Sequence, residues 1–162
     1  QISELIKINK LKTVHAKECS KLIKFNSSDE IYFRALGWSE NQIISQFNKS
    51  VNYSIGIFNN NNLIAFLLGD LICIEKVSEY EILFLYVKTT LRNRGLASEL
   101  INNILTKTKK LKLKKIFLEV SEDNYAALKL YKKNNFKLFD VRKNYYSIDK
   151  EKINALCFKK II

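Results

Sequence analysis

Between Ile82 and Ile104 the hydrophobic period of the chain changes from that of a strand to that of a helix, and the change happens across one glycine. Ile82-Leu-Phe-Leu-Tyr-Val87 is a continuous apolar run. Leu96, Leu100, Ile104 and Lys107 then step at i, i+4, i+8 and i+11, and Ala97, Ile101 and Leu105 widen the apolar stripe. Joining the two is Leu91-Arg-Asn-Arg-Gly-Leu-Ala97. A strand that enters a glycine turn and leaves as a helix exposes the first helical N–H groups, where the helix dipole adds favourable potential for an anion. Gly95 tolerates positive φ and keeps a side chain away from those amides, while Arg92 and Arg94 add full charges. The segment has the parts of a phosphate cradle. Taken alone, it reads equally well as a turn with two solvated arginines.

The flanking sequence predicts alternating elements. A helix is expected from His15 to Phe25, with Cys19, Leu22, Ile23 and His15 on one face. A second starts after Ser39, an N-cap with Gln42 three residues on, and buries Ile43, Ile44 and Phe47. Strands over Tyr53 to Phe58 and Leu63 to Leu68 are joined by four asparagines, residues 59–62, which suit an antiparallel hairpin turn. After the strand Tyr80 to Val87 and the helix from Leu96 come a short strand, Lys115 to Val120, and a helix from about Asn124 to Lys133. Strands near Phe136 to Arg142 and Ala155 to Ile161 follow. Such an order implies a right-handed crossover and at least one parallel pair within a mixed sheet, an α+β architecture.

Composition narrows the function classes. A chain of 162 residues with 47% hydrophobic content fits one domain, residues 1–162. No run approaches the length of a membrane span, and Glu4, Lys7, Lys10 and Lys12 interrupt the N-terminal apolar residues where a signal peptide would be unbroken. A cytoplasmic location and no membrane partner are expected. Cys19, Cys73 and Cys157 are odd in number and far apart, and His15 is the single histidine, so neither a disulfide framework nor a metal site is expected. The cysteines read as small buried hydrophobes. Against 16 Asp and Glu stand 28 Lys and Arg, a net charge of +12 that would attract nucleic acid. The same basicity follows from a coding bias toward Lys, Asn and Ile with no Pro, so nucleic-acid binding stays open. Lys107 to Lys115 reads as the solvated end of a helix and its connection.

Two residues stand out chemically. Glu119 lies inside an apolar strand, where an ionised carboxylate needs a charge, a hydrogen bond or a wet cleft. Tyr131 comes twelve residues later near the end of a helix, and Tyr125, Tyr145 and Tyr146 make a tyrosine-rich region that could return to the same cleft.

In order, the chain shows Leu83 to Val87, Arg92-Asn-Arg-Gly-Leu-Ala97 at a Q/R-x-x-G-x-G/A position, Leu118-Glu-Val120, Asn124, Leu130-Tyr131 and Asn135-Phe136. This set resembles the GNAT superfamily of N-acetyltransferases, from about His15 to Phe158. Gly37-Trp-Ser39 and Lys143-Asn-Tyr-Tyr146 extend the likeness to the branch that acetylates the N-terminal alanine of a ribosomal protein. The resemblance implies a mixed, mostly antiparallel sheet flanked by helices, with a splayed parallel pair. It implies acetyl-CoA as donor and no metal. By the same resemblance Leu85, Tyr86 and Val87 would hold the pantetheine arm; Asn93, Arg94, Gly95, Leu96, Ala97 and Ser98 the pyrophosphate, with Arg92 alongside; and Asn124 the cofactor's arm. Glu119 would accept the amine proton and Tyr131 would protonate the leaving thiolate. Trp38, Tyr145 and Tyr146 would meet the acceptor, a protein or peptide N-terminus. The sequence departs from many relatives in having Ala97 and Arg92 where glycine and glutamine are common, and in the basic stretch Ser147 to Lys152 after the paired tyrosines. A small-molecule amine or lysine acetyltransferase, and a basic RNA-associated module without catalysis, are the alternatives.

Overall fold

The computed structural model describes residues 5–162. A seven-stranded mixed sheet carries helices on both faces. Its strands are β1 (Ile6–Lys10), β2 (Ile55–Asn59), β3 (Asn62–Ile74), β4 (Val77–Val87), β5 (Leu113–Ser121), β6 (Lys137–Ile148) and β7 (Glu151–Ile161), in the order β1-β2-β3-β4-β5-β7-β6. Every neighbouring pair is antiparallel except β4 and β5, which α4 (Leu96–Lys107) links as a parallel pair. The expected mostly antiparallel sheet with one parallel pair is therefore present.

Each face has its own core. On one side α4 and α5 (Tyr125–Lys133) pack Leu96, Leu100, Ile101, Ile104 and Tyr131 against Tyr80, Ile82, Ile116, Leu118 and Val120. On the other, α1 (Ala16–Lys24), α2 (Ser27–Ala35) and α3 (Glu40–Phe47) pack Cys19, Leu22, Ile23, Phe33 and Ile43 against Phe66, Leu68 and Tyr86. Ser39 caps α3 as its sequence predicts, its Oγ accepting from Gln42 N–H at 3.2 Å. Asn60 and Asn61 take φ of +50° and +67° in the β2–β3 turn, the left-handed pair that a two-residue hairpin asks of asparagine.

Several elements go beyond the expectation. Helix α2 lies in a segment with no predicted helix; Asn26 caps it, with Oδ1 accepting from Asp29 N–H at 3.0 Å. Strand β1 pairs the N-terminal segment with β2. β3, β6 and β7 are longer than their apolar runs because pairing continues through polar residues such as Asp70, opposite Glu81, and Ser147, opposite Lys152. Cys19 and Cys157 are buried as expected, whereas Cys73 is exposed near the far end of β3. Tyr125 projects from the first turn of α5 into solvent at 77% exposure, away from the other tyrosines.

A bulge in β4 decides which of its side chains face each core. Leu68 pairs with Phe84 and Gly69 with Ile82, leaving Leu83 as an extra residue. Side-chain alternation consequently inverts: Tyr80 and Ile82 face α4, but past the bulge it is Leu85 and Val87 that do, while Phe84 and Tyr86 face α1–α3. Gly69 is fixed opposite the bulge by close packing, since a Cβ there would lie 2.0 Å from Tyr80 Oη.

Candidate active site

Strands β4 and β5 pair from Ser78/Leu113 to Ile82/Leu118 and then part. Beyond that point β4 pairs only with β3, up to Val87/Ala65, and β5 only with β7, up to Ser121/Ala155. The result is a gap between residues 83–87 and residues 119–121. Lys88 N–H donates to Ile64 C=O (2.9 Å), which makes Val87/Ala65 a non-hydrogen-bonded pair and, by alternation, Leu85/Leu67 another. Leu85 and Val87 therefore turn their backbone polar groups away from β3 and into the gap. Glu122 N–H to Asn154 C=O (3.0 Å) and Ile162 N–H to Lys114 C=O (2.9 Å) fix β5 in the same way, with Glu119 and Ser121 turned away from β7. Two backbone edges thus face each other across the gap, and the N–H groups of Leu85 and Val87 line it. Tyr86 differs, because its backbone pairs with Phe66 and its phenol donates to Asp29 Oδ2 at 2.6 Å.

Ile116, Leu118 and Val120 occupy the α4 face of β5, so the Glu119 side chain stands on the opposite face, directly beside the gap. Arg142 Nη1 lies 3.1 Å from Glu119 Oε1. Cys157 lies opposite Glu119 on β7; burial, then the Glu119 charge, holds its thiol above its ordinary range. Tyr146 is half-buried, and its phenol is pushed up first by burial and then by Glu119. Tyr32, from α2, reaches the same place, close to Asn124 and Ser121; burial raises its phenol as well. Tyr131 is buried behind it, edge-on to Phe136 with ring centroids 5.4 Å apart, its phenol raised by burial and then by Tyr32. The Glu119 carboxylate, the Cys157 thiol and the phenols of Tyr146 and Tyr32 therefore converge where the strands part, with Tyr131 next to Tyr32 on the α4 side. Glu81, one strand over on the same face, has its carboxyl raised by burial, then by Asp70 and Glu119.

The turn after β4 has open space around it. Asn93 and Gly95 take φ of +63° and +79°, and a Cβ on Gly95 would meet nothing within 4 Å. Arg94 and Asn93 are exposed, Leu96 is buried beneath, and Ser98 Oγ accepts from Asn134 Nδ2 at 3.1 Å. Arg92 is engaged elsewhere: Nε donates to Val87 C=O (3.0 Å), Nη2 to Asp29 Oδ2 (2.8 Å), and the guanidinium covers the Tyr86 ring. It braces the strand end against α2. Asn124 caps α5, with Oδ1 accepting from Ala127 N–H at 3.2 Å. Trp38 stacks on Phe33 and tilts against Phe84, forming part of the wall behind the bulge. Tyr145 is exposed, edge-on to Tyr146 at 5.2 Å and beneath Arg142. An open, glycine-shaped helix start beside a row of unpaired strand amides fits a diphosphate followed by an amide-bearing arm. Among the described residues no cluster of metal-ligating side chains accompanies it.

Tyr32, Arg142 and Cys157 are the site residues that sequence reasoning missed. Tyr32 sits on the unpredicted helix, whose signal was Asn26 followed by Asp29 and Glu30. Arg142 reaches the face of Glu119 because β6 carries an extra residue at Phe139, after which Arg142 pairs with Ala155.

A sheet opened between its parallel strands, with an anion-ready helix start at the mouth, defines an acyl-CoA-binding enzyme. The chain belongs to the acetyltransferase (GNAT) family, whose pattern it matches over residues 18–136, and it is an acetyl-CoA-dependent N-acetyltransferase. Among solved structures it is similar to the ribosomal-protein-S18-alanine N-acetyltransferase of Escherichia coli, at 20% identity over 98% of this chain and 94% of that one, TM-score 0.81. It also resembles Arabidopsis thaliana NAA60 in complex with a bisubstrate analogue, at 18% identity over 97% of this chain and 98% of that one, TM-score 0.80. A third likeness is to Ard1 of Thermoplasma volcanium, at 19% identity over 97% of each chain, TM-score 0.77. No curated protein matches the chain by sequence.

Proposed function

We propose that the whole chain is one catalytic domain that transfers acetyl from acetyl-CoA to the N-terminal α-amine of a protein, with a ribosomal protein as the candidate acceptor. The observation that carries the catalytic reading is the Glu119 carboxylate at the point where β4 and β5 separate. The acceptor class is supported by the fold's likeness to an alanine N-acetyltransferase acting on a ribosomal protein and to NAA60 with a bisubstrate analogue.

Acetyl-CoA supplies the acyl thioester. Residues 93–98 hold its diphosphate, and Leu85, Val87 and Asn124 hold its arm. An α-amine titrates near pH 8, about two units below a lysine side chain, so a carboxylate is base enough to supply the neutral amine. Glu119 takes that proton, directly or through one water. Arg142 holds the carboxylate beside the cleft, with Cys157 opposite it on β7. The N–H groups of Leu85 and Val87 aim at the charge developing on the carbonyl oxygen. Tyr131, raised by burial, stays protonated at working pH and can give its proton to the departing thiolate, with the Tyr32 phenol beside it. Tyr145 and Tyr146 stand at the acceptor's entrance, and Trp38 supports its wall.

Mass spectrometry of a peptide panel varying the first residue, run beside free polyamines and internal lysines, tests the acceptor. Fastest turnover on an unblocked peptide N-terminus is expected. Faster turnover on polyamines or lysine side chains would move the assignment to those amines.

A further inference from the structure

The surface charge is not spread as a coding bias would spread it. Of the 28 Lys and Arg, twelve lie in residues 107–115, 129–137 and 159–160, and these stretches hold no Asp or Glu; the remaining 16 cations are matched by all 16 carboxylates. The excess of +12 thus comes from three segments alone.

Those segments meet. Residues 107–112 end α4 and lead into β5; residues 129–137 end α5 and start β6; residues 159–160 end β7. Lys115 pairs with Ile161, Lys137 with Lys159, and Lys160 Nζ reaches the Asn134 carbonyl at 3.0 Å. All lie toward the end of β5 away from Ser121 and the gap. Among the described residues Lys115 alone of the twelve has a carboxylate partner, Glu79 at 3.5 Å. Lys137 and Lys159 oppose each other directly, an arrangement that costs stability unless an anion shares them. Lys159 also lies over the half-exposed Phe139 ring, 5.0 Å from its centroid.

We propose that this end of the sheet is an RNA-docking surface, distinct from the acetyl-transfer cleft and usable while that cleft is occupied. Lys160 stands on the helix face, paired with Ile116, whereas Lys115, Lys137 and Lys159 stand on the other face. Cations that wrap both faces of an edge suit a folded phosphate backbone better than a planar bilayer, which meets one face. Binding is led by phosphate contacts, so it is steeply salt-dependent and tolerant of sequence. The inference is independent of which amine is acetylated.

The test is fluorescence anisotropy of a labelled hairpin RNA over a salt series, with acetyl-CoA saturating so that the cofactor's phosphate site is closed. The fourfold variant K109Q/K110Q/K112Q/K114Q is compared with K17Q/K21Q/K24Q/K76Q, which removes equal charge elsewhere on the surface. The first is expected to weaken binding by about ten-fold or more and to flatten the salt slope by about 0.7–0.9 for each phosphate no longer neutralised, while the second changes little. Both should keep wild-type acetyl-CoA affinity and thermal melting. Equal weakening in the two variants, displacement of RNA by acetyl-CoA, or binding to phosphatidylserine vesicles without binding to RNA would each overturn the proposal.

Discussion

Arg142 Nη1 and Glu119 Oε1 lie 3.1 Å apart although β7 runs between their strands. The contact exists because Phe139, an extra residue in β6, resets the alternation, so that Arg142 pairs with Ala155 on the sheet face that carries Glu119. A cation placed this way fixes where the carboxylate stands beside the gap. Arg142→Gln is expected to lower kcat/KM by about ten-fold with acetyl-CoA affinity unchanged, and Arg142→Lys to recover part of the loss. Wild-type kcat/KM in Arg142→Gln, or no recovery in Arg142→Lys, would leave Arg142 with no positioning role.

Tyr131→Phe keeps the ring that packs edge-on to Phe136 and removes only the buried hydroxyl. A drop in kcat of about 10²-fold with acetyl-CoA affinity unchanged is the expected outcome, read by steady-state kinetics and calorimetry. Because burial keeps this phenol protonated through neutral pH, the variant's profile should fall evenly across about pH 6–8 rather than steepen. Wild-type kcat in the variant would assign thiolate protonation to another group, with Tyr32 the next candidate.

Gly95→Ala separates fold from cofactor binding. The left-handed φ of +79° costs alanine about 1 kcal/mol, but no neighbour lies within 4 Å of the new methyl, so the fold should survive. If that open space receives the diphosphate, acetyl-CoA affinity measured by calorimetry falls about ten-fold or more, well beyond the stability cost. A change in melting temperature with unaltered affinity would place the phosphates elsewhere.

Glu81 gives a pH-linked stability prediction. Its carboxyl is raised in the folded state by burial, then by Asp70 and Glu119, so the native state binds its proton more tightly than the unfolded chain does. The stabilising contribution of the protonated form is full below the ordinary carboxylate value of about 4.3 and is lost as pH rises through the folded one. Glu81→Gln should therefore raise the melting temperature at about pH 8, with the gain shrinking toward nothing at about pH 4. A gain confined to the acid end would contradict this.

The elements legible in the sequence are those whose signal is local. The change of period across Gly95, the paired asparagines at 60 and 61 and the Ser39 cap each specify their own backbone, and Glu119 betrays a cleft because an apolar strand has no other use for it. What stayed hidden depends on partners far along the chain. The bulge at Leu83 decides which side of β4 each residue faces, yet it is set by the register with β3 and by Tyr80 filling the space over Gly69. Helix α2 fully buries only Phe33, too narrow a stripe to show as a period, although it delivers Tyr32 to the site and Asp29 to Arg92 and Tyr86. Arg142 reads as one more basic residue until the register of β6, shifted at Phe139, turns it to the face of Glu119.

The claim that Glu119 accepts the acceptor's proton where β4 and β5 part is tested most directly by acetylation of an alanine-starting peptide across pH, wild type against Glu119→Gln. Near about pH 6.5, where an α-amine is mostly protonated, kcat/KM of the variant should be about 10²-fold lower, and the deficit should narrow toward about pH 9 as the amine frees itself. Equal rates for the two proteins at the lower pH would contradict the account.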